Sequence, residues 1–256
     1  INPTIFRAYD IRGIYTDELD ERAAYLIARA FARHIHAMRG ERDNQKQLRI
    51  LVSSDARSSS PSLKEAFLRG LLEEGVYIVD AGLTTTPMHT FIVNRIGADG
   101  GAMITASHNP AKFNGIKLTG RHGVISEGSG MEEVAQMAMR GIFEEGSTKG
   151  SVREENFLPA YISFFADHFP ALRDPRAFGG KPLRIALDSG DGMTGILLSP
   201  LFEQFLSIEP VIIHKGLNMS FPHHEANPIK PETLRDLQKM VIKKKGYKWV
   251  LYTKDG

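Results

Sequence analysis

The sequence predicts an α/β protein made of two successive domains, each a mostly parallel mixed sheet with helices on both faces, the second cut short. Three observations predict it. Short β-branched apolar runs alternate with segments of helical period, the pattern of strands joined by helical crossovers. The stretch from Gly141 to Glu155 loses apolar period and gains Gly, Ser and charge, which marks a connector and puts a boundary near Gly150, with one domain over 1–150 and another over 151–256. A chain of 256 residues, 42% hydrophobic and 24% charged, is long enough to bury two ordinary cores.

The elements follow in order. From Leu19 to Met38 an apolar stripe of Ala23, Leu26, Ile27, Ala30, Phe31, His34 and Ile35 lies opposite Arg22, Arg29 and Arg33, which predicts an amphipathic helix. Leu48–Val52 reads as a strand entering the polar loop Ser53–Pro61, where Ser60 before Pro61 signals the start of a helix running to about Glu74. Gly75 stops that helix, Val76–Val79 is a short strand, a helix spans Pro87–Ile96, and Ala102–Ile104 is a strand. A second short strand is expected over Asn114–Leu118. In the second half a helix over Phe157–Phe169 precedes a strand over Pro182–Leu187, a helix over Met193–Leu206 and a strand over Pro210–Ile213. A helix over Pro231–Lys244 and a strand over Tyr247–Tyr252 complete the pattern.

Composition narrows the class. A net charge of +2 offers no field suited to nucleic acid or an anionic membrane, and Lys243–Lys245 reads as a solvated helix end. There is no cysteine, hence no disulfide and no thiolate metal site. No apolar run approaches the roughly 18 residues that span a bilayer, and the first residues lack a signal-peptide pattern. The expectation is a soluble, cytoplasmic protein with no nucleic-acid or membrane partner. Ile1 in place of an initiator Met leaves the true N-terminus open. The chain stops at Thr253–Gly256, just past a strand end where open α/β sheets bind ligands, so truncation is expected there.

The densest chemistry sits in Thr105-Ala106-Ser107-His108-Asn109-Pro110, a hydroxyl nucleophile on a polar turn directly after an apolar strand. Local chemistry alone also allows a tight turn, because Asn-Pro, Ser and Gly punctuate loops in any α/β protein. A hydrolase elbow is not present, since no Gly-x-Ser-x-Gly frames Ser107, and neighbouring side chains of an extended segment point apart. Downstream, Asn114-Gly115-Ile116-Lys117 returns a lysine towards the turn.

Together, Ser107-His108-Asn109-Pro110 and Asn114-Gly115-Ile116-Lys117 resemble the active-site serine loop of the α-D-phosphohexomutases. Phe6-Arg7-Ala8-Tyr9-Asp10-Ile11-Arg12-Gly13 is similar to the N-terminal motif of the phosphomannomutase/phosphoglucomutase branch. Asp55-x-Arg57, Thr85-Thr86-Pro87, Asp188-Ser189-Gly190-Asp191-Gly192 and Phe221–Glu232 also resemble family segments. Each has a structural reading too: Ser60 and Thr86 as helix caps, Asp55 with Arg57 as an ion pair, the glycines as turn formers. His223 and His224 suggest a metal, but a single nearby carboxylate and no third ligand at helical spacing favour a surface loop.

The resemblance implies a phosphoserine at Ser107 that gives its phosphoryl group to a hexose phosphate, with a hexose 1,6-bisphosphate as intermediate and activator. It implies Lys117, Arg12, Tyr9 and His108 as further catalytic residues, and Mg²⁺ held by the Ser107 phosphate and a carboxylate loop of which only Asp255 is present. The partner is then a small phosphosugar, and further C-terminal domains of the same parent chain are expected. Two rivals remain open: a serine hydrolase using Ser107 with a histidine, and a non-catalytic sugar-phosphate-binding module. The purified 256-residue polypeptide is expected to show no appreciable turnover of hexose 1-phosphate in a coupled assay, because the residues that grip the sugar are not in it.

Overall fold

The computed structural model of the chain describes residues 1–39, 46–121, 123–144, 149–225, 227 and 229–243, together with the backbone of 249–252. The chain divides into two compact units, Ile1–Ala106 with Lys112–Asn156, and Ser107–Ala111 with Phe157–Gly256.

The first unit holds β1 (Ile11–Ile14), α1 (Glu21–Ala37), β2 (Arg49–Ser54), α2 (Ser60–Glu73), β3 (Tyr77–Leu83) and α3 (Thr86–Arg95). It continues with β4 (Gly100–Ile104), β5 (Phe113–Gly120), β6 (Gly123–Val124), α4 (Met131–Arg140) and β7 (Ser151–Glu154). Its seven strands form one sheet in the order β1-β5-β4-β2-β3-β7, with β6 paired to β5. The β4-β2-β3-β7 block is parallel, whereas β5 runs antiparallel to both β4 and β1.

Strand alternation sorts the side chains onto two faces. Ile50, Val52, Ala102, Ile104, Ile116 and Leu118 join Ile27, Phe31, Leu63, Phe67 and Val134 in one continuous core, so α1, α2 and α4 cover that face. The other face carries α3. It sits so close that a Cβ on Gly101 would come within 2.6 Å of Val93 Cγ2 and 2.7 Å of His89 Nε2. Asp20 caps α1 by accepting a bond from the Ala23 amide at 2.7 Å, and Thr85 caps α3 by accepting from the Met88 amide at 3.3 Å.

Three local expectations are corrected. The cap position of α2 is Ser59, and Ser60 opens the helix with its hydroxyl donating to Asp55 Oδ1 at 2.6 Å; likewise Thr85 and not Thr86 caps α3. The segment read as a connector contributes β7, which pairs with β3 by backbone bonds while all four of its side chains stay exposed, so no apolar pattern announces it. An amphipathic helix, α4, also escaped the sequence reading; it buries Met131, Val134, Ala135 and Ala138 and ends at Gly141 in the left-handed conformation, φ 63°.

The second unit contains α5 (Leu158–His168), β8 (Leu183–Asp188), α6 (Gly195–Phe202), β9 (Ile208–Ile213), α7 (Arg235–Lys243) and β10 (Trp249–Tyr252). Its sheet has β8 in the centre, parallel to β9 on one side and β10 on the other. Ile185, Ala186, Leu187, Leu197, Leu198 and Leu237 are buried around it. Among the described residues no helix is long and apolar enough to cross a membrane.

Beneath α3, His89 is wholly buried, with Nδ1 bonded to Ser53 Oγ at 2.7 Å and Ser53 in turn accepting from Thr84 at 2.8 Å. Burial pushes its imidazole down to about 4 from an ordinary 6.5. The folded state therefore binds fewer protons here than the unfolded chain: the stabilisation is complete above pH 6.5 and lost as pH falls towards 4, a swing of roughly 3 kcal/mol. Urea titrations between those pH values are expected to show this slope, and His89→Asn is expected to flatten it.

Candidate active site

The polar loop after β2 is anchored from within. Asp55 takes the Ile104 carbonyl with its amide at 2.9 Å, and its carboxylate accepts from the Arg57 amide at 3.1 Å, Arg57 Nε at 3.1 Å and Ser60 Oγ at 2.6 Å. Arg57 is 1% exposed and donates through Nη1 to the Phe113 carbonyl at 3.1 Å. Burial holds its guanidinium below the usual arginine range, and the Arg12 charge acts in the same direction. Asn114, fully buried on β5, donates to Ser59 Oγ at 2.8 Å and Ser60 Oγ at 3.1 Å. This network locks the β2 loop onto β5, the strand that carries Lys117.

Register then groups the cations. Arg12 faces Gly115 across the β1–β5 ladder, so Arg12, Gly115 and Lys117 project to one side while Ile11 and Ile116 project to the core on the other. Gly115 is obligatory between them, because a Cβ there would lie 2.3 Å from the Ile11 carbonyl and 2.8 Å from that of Thr105. Arg12 is paired with Asp10, and its Nε is buried with no hydrogen-bond partner among the described residues. Lys117 is half-buried and faces Met103 of β4. Tyr9, by contrast, is 74% exposed.

Ser107 lies three residues beyond the end of β4, is 6% exposed, and holds φ at 57°. A non-glycine residue in the left-handed region costs free energy and concentrates at functional turns. The conformation also overturns one expectation: Ser107 and His108 do not point apart, because the segment is not extended there, and Ser107 Oγ meets His108 Nδ1 at 3.2 Å. Asp255 falls outside the described residues.

In the second unit, β8 ends in Asp188, whose carboxylate is fully buried and caps the Gly190 amide at 2.9 Å. His214, just past β9 with φ 45°, brings Nδ1 to 3.0 Å from Asp188 Oδ1, and His224 brings Nε2 to 3.2 Å from Oδ2. His223 turns the other way, to Asp191, whose carboxylate holds that imidazole above its ordinary range. The two adjacent histidines thus separate. His223 is half exposed at 51%, whereas the His224 side chain is 9% exposed, so the surface-loop reading holds for one of them only. Sequence reasoning missed His214, which lacks any motif and is brought to Asp188 by the parallel pairing of β8 with β9.

Comparison with known proteins identifies the family. Residues 3–145 match the phosphoglucomutase/phosphomannomutase alpha/beta/alpha domain I, and residues 159–254 match domain II of the same family. The chain belongs to the phosphoglucomutase/phosphomannomutase family. It is 33% identical over 239 residues to a phosphomannomutase of Vibrio cholerae, a match covering 91% of this chain and 49% of that protein. It is 35% identical over 238 residues to a phosphoglucomutase of Neisseria gonorrhoeae, covering 93% and 48%. The crystal structure of a phosphoglucomutase/phosphomannomutase family protein from Burkholderia thailandensis superposes with a TM-score of 0.79 at 29% identity, covering 95% of this chain and 51% of that one. The chain spans about half the length of the curated relatives it matches.

Replacing Asp55 by Ala leaves the Arg57 guanidinium buried without its carboxylate. The expected loss of stability is about 3 kcal/mol, read as a lower urea midpoint at unchanged m-value.

Proposed function

We propose that this chain is the phosphate-carrying half of a hexose-phosphate mutase, with Ser107 as the phosphocarrier. The observation that carries the reading is Ser107 itself, mostly buried and held at φ 57° in the turn that follows β4; within the first unit, Arg12 and Lys117 share one side of the β1–β5 ladder. Phosphoryl transfer depends chiefly on alignment and on positive charge around the phosphoryl oxygens, so two cations and a fixed hydroxyl suit it better than they suit acyl chemistry. The names of the relatives, phosphomannomutase and phosphoglucomutase, fit the same reaction.

In the transfer, the P–O bond at Ser107 Oγ breaks as a bond forms to a hydroxyl oxygen of the hexose phosphate, and the hydroxyl proton ends on Ser107 Oγ, with Lys117 as its relay. The resulting 1,6-bisphosphate returns its other phosphoryl group to Ser107, so phosphate moves between C1 and C6 with no net change in the enzyme. Arg12 supplies guanidinium donors for phosphoryl oxygens, and His108 steadies the serine oxygen through the 3.2 Å contact. Mg²⁺ bound at a serine phosphate supplies Lewis-acid stabilisation, and the hard oxygens of Ser107 and Asp255 are of the type it prefers. Tyr9, exposed on the loop before β1, is proposed to meet substrate and not to support the fold.

The test is phosphoryl loading. Incubated with glucose 1,6-bisphosphate and Mg²⁺, the chain is expected to gain one phosphoryl group at Ser107, located by peptide mass spectrometry, and Ser107→Ala to gain none. Lys117→Met and Arg12→Gln are expected to slow loading by about 10²-fold or more. Bisphosphate binding with no phosphoserine in the wild type would transfer the case to the non-catalytic sugar-phosphate-binding module, and labelling of Ser107 by a fluorophosphonate would favour the hydrolase.

A further inference from the structure

We infer a second cation site, of the zinc class, formed in the second unit by Asp188, His214 and His224. It uses none of the residues expected to hold Mg²⁺, and it does not rest on the phosphotransfer reading. One oxygen of Asp188 and one nitrogen from each histidine all lie within 4.8 Å of one another. Asp188 stands 3.0 Å from His214 and 3.2 Å from His224, close to the roughly 3.3 Å that separates ligand atoms around a tetrahedral Zn²⁺ with bonds of about 2.0–2.1 Å.

Hydrogen bonding supplies the second argument. His224 Nδ1 lies 2.9 Å from the Glu225 carbonyl, which can only accept, so the proton of a neutral ring sits on Nδ1. Nε2 then presents a lone pair to the Asp188 carboxylate, itself an acceptor, 3.2 Å away. A ring nitrogen lone pair aimed at a buried carboxylate 3.2 Å away is the orientation a metal ligand takes. His214 brings Nδ1 to the same carboxylate, and its outer nitrogen Nε2 looks to the Asp236 carboxylate at 3.9 Å, beyond direct hydrogen bonding. Metal-bound histidines characteristically orient their second nitrogen by such a carbonyl or carboxylate.

The site is also built and not merely assembled at a surface. The side chains of Asp188, His224 and His214 are 0%, 9% and 13% exposed. The Ser189 hydroxyl and the Asp191 amide both bond the His214 carbonyl at 2.7 Å, fixing the backbone of the second ligand against the turn that carries the first. Two imidazoles and one carboxylate make a donor set suited to Zn²⁺ and its neighbours in the first transition row and poorly suited to Mg²⁺. Three protein ligands leave one position for water or an anion.

Co²⁺, whose visible bands report its coordination, tests this in the full chain. One equivalent of Co²⁺ per chain is expected to give the absorption of a four- or five-coordinate site, displaced by one equivalent of Zn²⁺ and undisturbed by millimolar Mg²⁺. His214→Gln and His224→Gln are expected each to weaken binding by about 10–100-fold. His223→Gln, whose ring stacks 4.3 Å from His214 but bonds Asp191, is expected to leave it unchanged. Absence of a stoichiometric Co²⁺ spectrum would overturn the inference, with an imidazolium at His224 then explaining the contacts. So would binding that survives in the His214→Gln/His224→Gln double variant, provided circular dichroism shows the variant folded.

Discussion

The buried pair of Asp55 and Arg57 is the interaction on which the first unit's functional geometry depends. Its carboxylate accepts from one guanidine nitrogen, one amide and one hydroxyl, and its own amide is tied to the end of β4. A buried ion pair is a weak source of net stability, since desolvation consumes most of the attraction. Its value lies in direction. Beyond the two bonds between Asp55 and Arg57 themselves, bonds run to the start of α2, to the start of β5 through Phe113, and to β4, so the loop after β2 has one conformation that satisfies all of them. β5 is then held in register, and register decides that Arg12 and Lys117 share a side.

A comparable logic governs the second unit, with histidine in place of arginine. Asp188 sits at the carboxyl end of the central strand, where parallel sheets gather their functional groups, and draws His214 from beside the neighbouring strand and His224 from a distant loop. The carboxylate caps its own turn through Gly190 as well, so the turn and the histidines are coupled. In both units a single buried acid organises several segments.

Much of this was legible in the sequence, and the failures have physical causes. Strands β2 and β4 announce themselves because both faces are buried, giving unbroken apolar runs. β7 carries no such signal, since it is an edge strand attached by backbone bonds alone with Ser151, Val152, Arg153 and Glu154 all turned to solvent. The serine loop and Lys117 were readable as motifs and Asp55 with Arg57 as an ion pair, but the burial of Arg57 and the anchoring by Asn114 were not, because polar side chains look solvated until the fold encloses them. His214 was invisible for a different reason: its partner is 26 residues away and meets it only through strand pairing. Tyr9 shows the reverse case, prominent in a motif yet 74% exposed in the folded chain.

For the phosphocarrier proposed at Ser107, the left-handed backbone constrains which side chain can stand there. Threonine offers the same hydroxyl and, as a free amino acid, would be an equal phosphate acceptor, but its branched Cβ is poorly tolerated at a φ of 57°. Asparagine and aspartate enter that region readily, yet neither has a hydroxyl to load. The turn therefore filters the genetic alphabet twice, once for an oxygen nucleophile and once for a slim side chain, and serine alone among the standard hydroxyl residues passes both filters.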